Sequence, residues 1–326
     1  MSEVSVFNML LESNQIGECM NMCSTLNYTD IVRLLKESFS ETITERTENK
    51  NKNVRIRLLC NWCTQDQVRD QWNKMSKGNY TWNNLVLVQE NSEYDYTVVI
   101  NSTHVDHDKS KSILIQMEPM LNTNPEWIKN RSTYKYVLDY TNTFNNHEWH
   151  IPKTYTELMS EQQPPKQNNT IVSIVENNYS EIGSIKKIDL VQYIITKDLK
   201  LDVYGYDYNF GPYYKGEVKE NDNVYSDYKY AIVTENVFMK NYHTCRLIDA
   251  ILSECLVFYK GDYTLREVLP VGSFIELSLN EECDCKRIKY AIETNEYEKR
   301  LPLIRQAKNI ILNHTQFFPR LEKLLV

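Results

Sequence analysis

No stretch of the chain approaches the ~18 consecutive apolar residues a helix needs to cross a membrane, so no transmembrane span is expected. The segment from Met1 to Leu10 has no basic residue ahead of an apolar core, which argues against a secretory leader. Basic residues are not in excess. The net charge is −7, which speaks against a nucleic-acid-binding face. No internal repeat and no heptad array is visible, which excludes a solenoid or a long coiled coil. Nor is the chain poor in apolar residues: 41% hydrophobic and 25% charged residues are globular proportions and exclude wholesale disorder. Tyrosine is abundant, with 23 copies, and Asn, Ile and Lys are frequent. We read this as drift toward AT-rich codons rather than as chemistry.

Eight cysteines lie at positions 19, 23, 60, 63, 245, 255, 283 and 285. Without a secretion signal, reduced thiols and a cytoplasmic location are expected, and the sequons at Asn27, Asn101 and Asn178 are expected to go unused. Cys60-Asn61-Trp62-Cys63 is a C-x-x-C pair, but structural zinc wants four ligands and no second pair has finger spacing. Neither a metal nor a redox role is expected of it. Val105-Asp106-His107-Asp108 has D-x-D spacing, yet it sits in a polar stretch and reads as a turn. No metal site is expected.

A chain of 326 residues exceeds the ~100–200 residues usual for one domain, so two domains are expected. Residues 1–53 read as a helical extension, with apolar residues at helical spacing up to Leu35 and a polar end at Thr47–Asn53. From Val54 the pattern changes to strands. Val54, Ile56 and Leu58 alternate with Arg55 and Arg57. Thr64 and Gln67 have the spacing of a capping box, and Val68, Trp72 and Met75 follow on one helix face. Further short apolar runs at Leu85–Val88, Tyr96–Ile100, Ile113–Ile115 and Tyr136–Leu138 make residues 54–160 an α/β domain. The Pro-containing polar stretch at 161–169 reads as a linker. Residues 170–326 alternate again: strands at Ile171–Val175, Leu201–Tyr204, Tyr230–Val233 and Leu256–Tyr259, helices around Ile188–Ile195 and from Thr244, and a terminal helix from Tyr297. Two α/β domains that hold a ligand at the C-terminal ends of parallel strands are the expected architecture.

The densest pattern spans Tyr228 to Gly261. A strand ends in Glu235-Asn236, then Tyr242-His243-Thr244-Cys245-Arg246 opens a helix, and a second strand ends in a glycine. Helix N-terminal N–H groups beside a basic first-turn side chain suit a diphosphate. On spacing alone the segment is equally an ordinary βαβ crossover.

These residues resemble the donor motif of the α-1,3-fucosyltransferase family, Y-K-(F/Y)-x-(I/L)-x-x-E-N followed by Y-x-T-E-K and an apolar helix. Glu235 and Asn236 stand at its E-N; Tyr242, Thr244 and Arg246 stand at its Y, T and K. Gly183-Ser184-Ile185-Lys186-Lys187-Ile188-Asp189 is similar to its G-x-x-K-R-I-D stretch, and Asp202-Val203-Tyr204-Gly205 to its D-V-Y-G. The resemblance covers about Val54 to Val326 and has the sound of a viral or microbial-eukaryote member. It implies a GT-B fold of two Rossmann-like domains and leaves residues 1–53 unexplained; we read those added helices as an interaction segment, through which a homo-oligomer is one expectation.

The resemblance also implies a function: an inverting enzyme that moves L-fucose from GDP-fucose onto a glycan hydroxyl, with no cofactor. Lys186, Lys187, Tyr204, Gly205, Glu235, Asn236, Tyr242, Thr244, Cys245 and Arg246 would hold the nucleotide sugar. Glu118, in Met117-Glu118-Pro119, would be the general base that takes the acceptor proton. Taken alone, Lys186-Lys187 fits a solvated helix face, and Glu118 an N-cap or surface acid. Cys245 departs from the pattern, because the family has a sugar-binding Glu there. A thiol is a weak hydrogen-bonding group beside a carboxylate, so the sugar half of the site is altered while the phosphate half is retained. A transferase using another nucleotide sugar, or a catalytically silent glycan-binding scaffold, therefore stands as the alternative.

Overall fold

The computed structural model describes residues 53–117, 131–140, 148–160, 165–176, 179–206, 210–219 and 222–326. The helical extension expected at 1–53, apart from Asn53, residues 161–164 of the expected linker, and Glu118 lie outside the described residues.

Alternation builds the first sheet. In β1 (Val54–Leu59), Ile56 and Leu58 are fully buried, while Arg55 reaches out to Asp95 at 3.1 Å and Glu93 at 2.6 Å. The capping box then starts α1 (Gln65–Asn73). Gln67 N donates to Thr64 Oγ1 at 3.3 Å, and Thr64 N donates to Gln67 Oε1 at 2.9 Å. The sheet continues with β2 (Thr81–Trp82), β3 (Leu85–Leu87), β4 (Tyr96–Ile100), β5 (Ser112–Ile115) and β6 (Tyr136–Leu138), in spatial order β2-β3-β1-β4-β5-β6. Only β2 and β3 pair antiparallel. A short helix α2 (Tyr155–Ser160) leads toward the second sheet.

The second sheet is wholly parallel. It holds β7 (Asn168–Glu176), β8 (Leu201–Tyr206), β9 (Tyr214–Gly216), β10 (Tyr228–Thr234), β11 (Leu256–Lys260) and β12 (Phe274–Glu276), in the order β12-β11-β10-β7-β8-β9. Every residue of β10 is buried, as expected of a central strand covered on both faces. Helix α3 (Ile182–Thr196) joins β7 to β8, and α4 (Cys245–Leu252) joins β10 to β11. The connections leave β7 and β10 in opposite directions, so a crevice opens at the C-terminal ends of these two strands. The first sheet has the same reversal between β1 and β4. Such switch points are where open α/β sheets bind ligands.

Gly205 lies inside β8 rather than ending it. Its φ is +154°, and a Cβ there would stand 1.6 Å from the Val175 carbonyl oxygen. Only glycine lets these two strands approach so closely.

The C-terminal stretch differs from the sequence reading in two ways. An acidic helix, α5 (Glu281–Glu293), precedes α6 (Glu296–Ile310). The last helix, α7 (Phe317–Leu325), packs on the first half, although residues 170–326 read as one domain. Phe317 meets Trp72 edge-on at 4.5 Å, Phe318 stacks on Trp82 at 5.8 Å, and Trp82 Nε1 donates to Glu322 at 3.1 Å. The reason is apolar surface: Trp72 and Trp82 are almost wholly buried, and the two phenylalanines help to cover them.

Candidate functional site

A cleft of about 1020 Å³ lies between the two halves of the chain. Trp62, Asp70, Lys74, Asn101 and Met117 line it from the first half, near the C-terminal ends of β1, β4 and β5. Ile174, Glu176, Asn236 and the first turn of α4 line it from the second. The two switch points therefore open onto one space.

The floor on the second side is built by close packing. Gly183, in the first turn of α3, donates its N–H to the Asn236 carbonyl at 3.0 Å. A Cβ at 183 would sit 1.9 Å from the Glu235 carbonyl oxygen and 2.6 Å from that of Asn236. A glycine here thus brings α3 against the end of β10. Glu235 is 1% exposed, and its carboxylate accepts the Thr244 N–H at 3.1 Å, at the start of α4. Burial raises the Glu235 pKa, and the hydrogen bond from Thr244 opposes that rise. Glu235 positions the α4 terminus from beneath and does not line the cleft.

Arg246, in the first turn of α4, reaches across to an ion pair with Glu176 at the end of β7. Lys187 lies behind them, 6% exposed, and forms no ion pair with a described residue. Burial first, then the charge of Arg246, lowers its pKa to about 8. Tyr225 adds a buried hydroxyl with no hydrogen-bond partner among the described residues, close enough to Arg246 to interact with its charge. Arg246, the buried Lys187 and the unsatisfied Tyr225 hydroxyl stand next to the first-turn N–H groups of α4, with Glu176 as the counter-charge that an incoming anion would have to displace from Arg246.

Beside this lies a second polar cluster. Cys245 Sγ is 3.4 Å from His150 Nδ1, and His150 Nε2 is 3.5 Å from Glu148. Asp249 holds the backbone of this segment by accepting from His150 N at 2.7 Å and Ile151 N at 3.3 Å. Cys245 and then Glu148 raise the His150 pKa, while burial lifts the Cys245 thiol.

Of the residues expected to bind donor, Asn236, Tyr242, Thr244, Cys245 and Arg246 line the cleft. Glu235 and Lys187 lie just behind its wall. The others are elsewhere. Lys186 pairs with Glu281 at 3.1 Å and Asp189 at 3.7 Å. The Tyr204 hydroxyl lies 3.3 Å from that of Tyr228, which donates to Asp202, and Gly205 packs on β7. Glu176, Tyr225 and the His150–Glu148 pair were not anticipated as site residues. Glu176 carried a readable signal, because it ends an apolar strand before a helix. Among the described residues no group of three His, Cys, Asp or Glu is placed to hold a metal ion. Asp108 instead accepts from Ser110 N at 3.0 Å and Ser110 Oγ at 2.6 Å within a turn.

The chain matches no protein-family model and no curated protein. Among solved structures it is similar to a glycosyltransferase from Rickettsia africae ESF-5, at 10% identity over 84% of this chain and 97% of that one, with a TM-score of 0.50. It is also similar to an α1,3-fucosyltransferase, at 16% identity over 77% and 82% of the two chains (TM-score 0.45). T4 phage BGT, solved with its UDP-glucose substrate, aligns at 9% identity over 84% and 99% (TM-score 0.46). At such identities the likeness is one of fold.

Proposed function

We propose that this chain is a glycosyltransferase of GT-B plan that binds a nucleoside-diphosphate sugar in the cleft. The observation that carries this reading is the donor-side wall: the N-terminus of α4, Arg246 and Lys187 converge where the strand order of the second sheet reverses. The diphosphate sits on the α4 amides and Arg246, with the buried charge of Lys187 behind it. The transferred sugar faces Cys245 and His150. The acceptor glycan enters from the side of Trp62, Asp70 and Asn101. We retain fucose and GDP as the first donor to try, on the residues that resemble the fucosyltransferase motif.

Glu118 remains our candidate base. It follows Met117, a residue of the cleft wall, whose N–H donates to Asn101 Oδ1 at 2.7 Å. In an inverting reaction it would take the acceptor proton as that oxygen attacks the anomeric carbon and the diphosphate leaves. A second reading is a catalytically silent scaffold. Cys245 and the Arg246–Glu176 pair favour it, because both reduce what the site offers a donor.

The test is a thermal-shift screen with GDP, UDP, GDP-fucose and UDP-glucose, followed by transfer assays on any donor that stabilises. A donor that stabilises and is turned over supports the enzyme reading, and Glu118→Ala should then abolish transfer while donor still binds. Stabilisation by none of the four favours the scaffold.

A further inference from the structure

The C-x-x-C pair lies in the wall of the same cleft. Cys60 follows the last residue of β1, and Cys63 precedes Thr64, the N-cap of α1. Their sulfurs are 3.4 Å apart, and Cys60 Sγ is also 3.5 Å from the Cys63 carbonyl oxygen. Both are free thiols, Cys60 buried and Cys63 half-buried. No third His, Cys, Asp or Glu among the described residues joins them as a metal ligand set. The chemistry left to two adjacent thiols is exchange with a disulfide.

We propose that Cys60 and Cys63 are an oxidisable dithiol that closes to an intramolecular disulfide, and that closure resets Trp62 on the acceptor side of the cleft. A disulfide needs its sulfurs at about 2.05 Å, so each must move by under about 1 Å from the present separation. The co-reactant is a small-molecule disulfide such as oxidised glutathione. One cysteine sulfur, as thiolate, attacks a glutathione sulfur and breaks the S–S bond. The departing glutathione takes up a proton. The second cysteine sulfur attacks the mixed disulfide and releases the second glutathione, which carries off the second proton. Two thiols lose two electrons and two protons, and one disulfide becomes two thiols. Burial, then the hydrogen bond with Cys60, lifts the Cys63 thiol to about 12.

The consequence follows from sequence position. Trp62 stands between the two half-cystines, is 50% exposed, and lines the cleft. Ring closure constrains its backbone on both sides. Cys63 also adjoins the cap of α1, the helix that supplies Asp70, Gln71 and Trp72 to that wall. The acceptor role of this wall rests on the proposed function; the dithiol chemistry does not.

The experiment uses the full-length protein. It is equilibrated with excess oxidised glutathione, alkylated with iodoacetamide, and mapped by peptide mass. Closure predicts that the peptide carrying Cys60 and Cys63 loses both alkyl adducts and two hydrogens, reversibly with dithiothreitol. Cys63→Ser should leave a glutathione adduct on Cys60. Retention of both adducts in the wild type, or a separate glutathione on each cysteine, overturns the proposal. Tryptophan fluorescence should change on closure, and Trp62→Phe should abolish that change. Full retention of the change in Trp62→Phe overturns the link to the cleft. Closure in a protein that binds no nucleotide sugar would sink the proposed function and leave the dithiol standing.

Discussion

Arg246 is held by Glu176, and this makes an unusual prediction: removing an acid should improve binding. A diphosphate arriving at α4 must take Arg246 from Glu176 and tolerate that carboxylate nearby. The pair is partly exposed, with side chains 25% and 39% accessible, so it contributes roughly 0.2–1 kcal/mol. Glu176→Gln removes that competition and should tighten GDP binding by up to about fivefold. Arg246→Ala removes a charge-assisted hydrogen bond of roughly 1.5–3 kcal/mol. Less the pair already made, about 1–2 kcal/mol remains, a loss of about 5- to 30-fold. Titration calorimetry with GDP on the wild type, both single variants and the double variant measures all four corners. In the Arg246→Ala background the gain from Glu176→Gln should shrink, because there is no guanidinium left to release. Weaker GDP binding in Glu176→Gln, or unchanged affinity in Arg246→Ala, would refute the phosphate assignment.

Lys187, lowered to about 8, should take up protons when an anion binds, because the anion favours its charged form. At pH 8 calorimetry in buffers of different ionisation heat should show uptake of up to about half a proton per GDP, absent in Lys187→Met. A heat that does not depend on the buffer counts against Lys187. The same variant should be more stable than wild type at pH 7, and the gain should fade as pH rises toward 10.5. A depressed base contributes stability above its unfolded value and loses it as pH falls through the folded one. Gly183→Ala forces a methyl to within 1.9 Å of the Glu235 carbonyl oxygen, so α3 must shift; a loss of about 1–3 kcal/mol is expected in thermal unfolding. An unchanged Tm would mean that α3 and β10 are not packed as described.

What could be read from the sequence was local. Alternation located β1, and the three-residue spacing of Thr64 and Gln67 located the start of α1. The Glu235-Asn236 strand end and the Thr244 helix start depend on neighbours within ten residues. The site contacts that were missed join distant parts of the chain. Arg246 and Glu176 are 70 residues apart, and Cys245 and His150 are 95 apart. No periodicity marks such pairs. Lys186 and Lys187 show the limit of a motif: adjacent positions on a helix face different ways, so one is buried behind Arg246 and the other pairs with Glu281. Helix α5 escaped notice although Asn280 caps it and its first turn is acidic, both helix-start signals, because only Asp284, Cys285, Ile288 and Ala291 are buried on it and its apolar stripe is weak.

The return of α7 bears on how the protein is made. Trp82 and the Glu322 that binds it are 240 residues apart. A ribosome must therefore finish the whole second sheet before the phenylalanines that cover Trp72 and Trp82 exist. Until then the first half emerges with a tryptophan face uncovered, the kind of surface that chaperones shield and that aggregation exploits. Folding of the first half is thus gated by a helix translated after the whole second sheet, and a chain truncated before Phe317 would carry a complete second sheet and an unfinished first half.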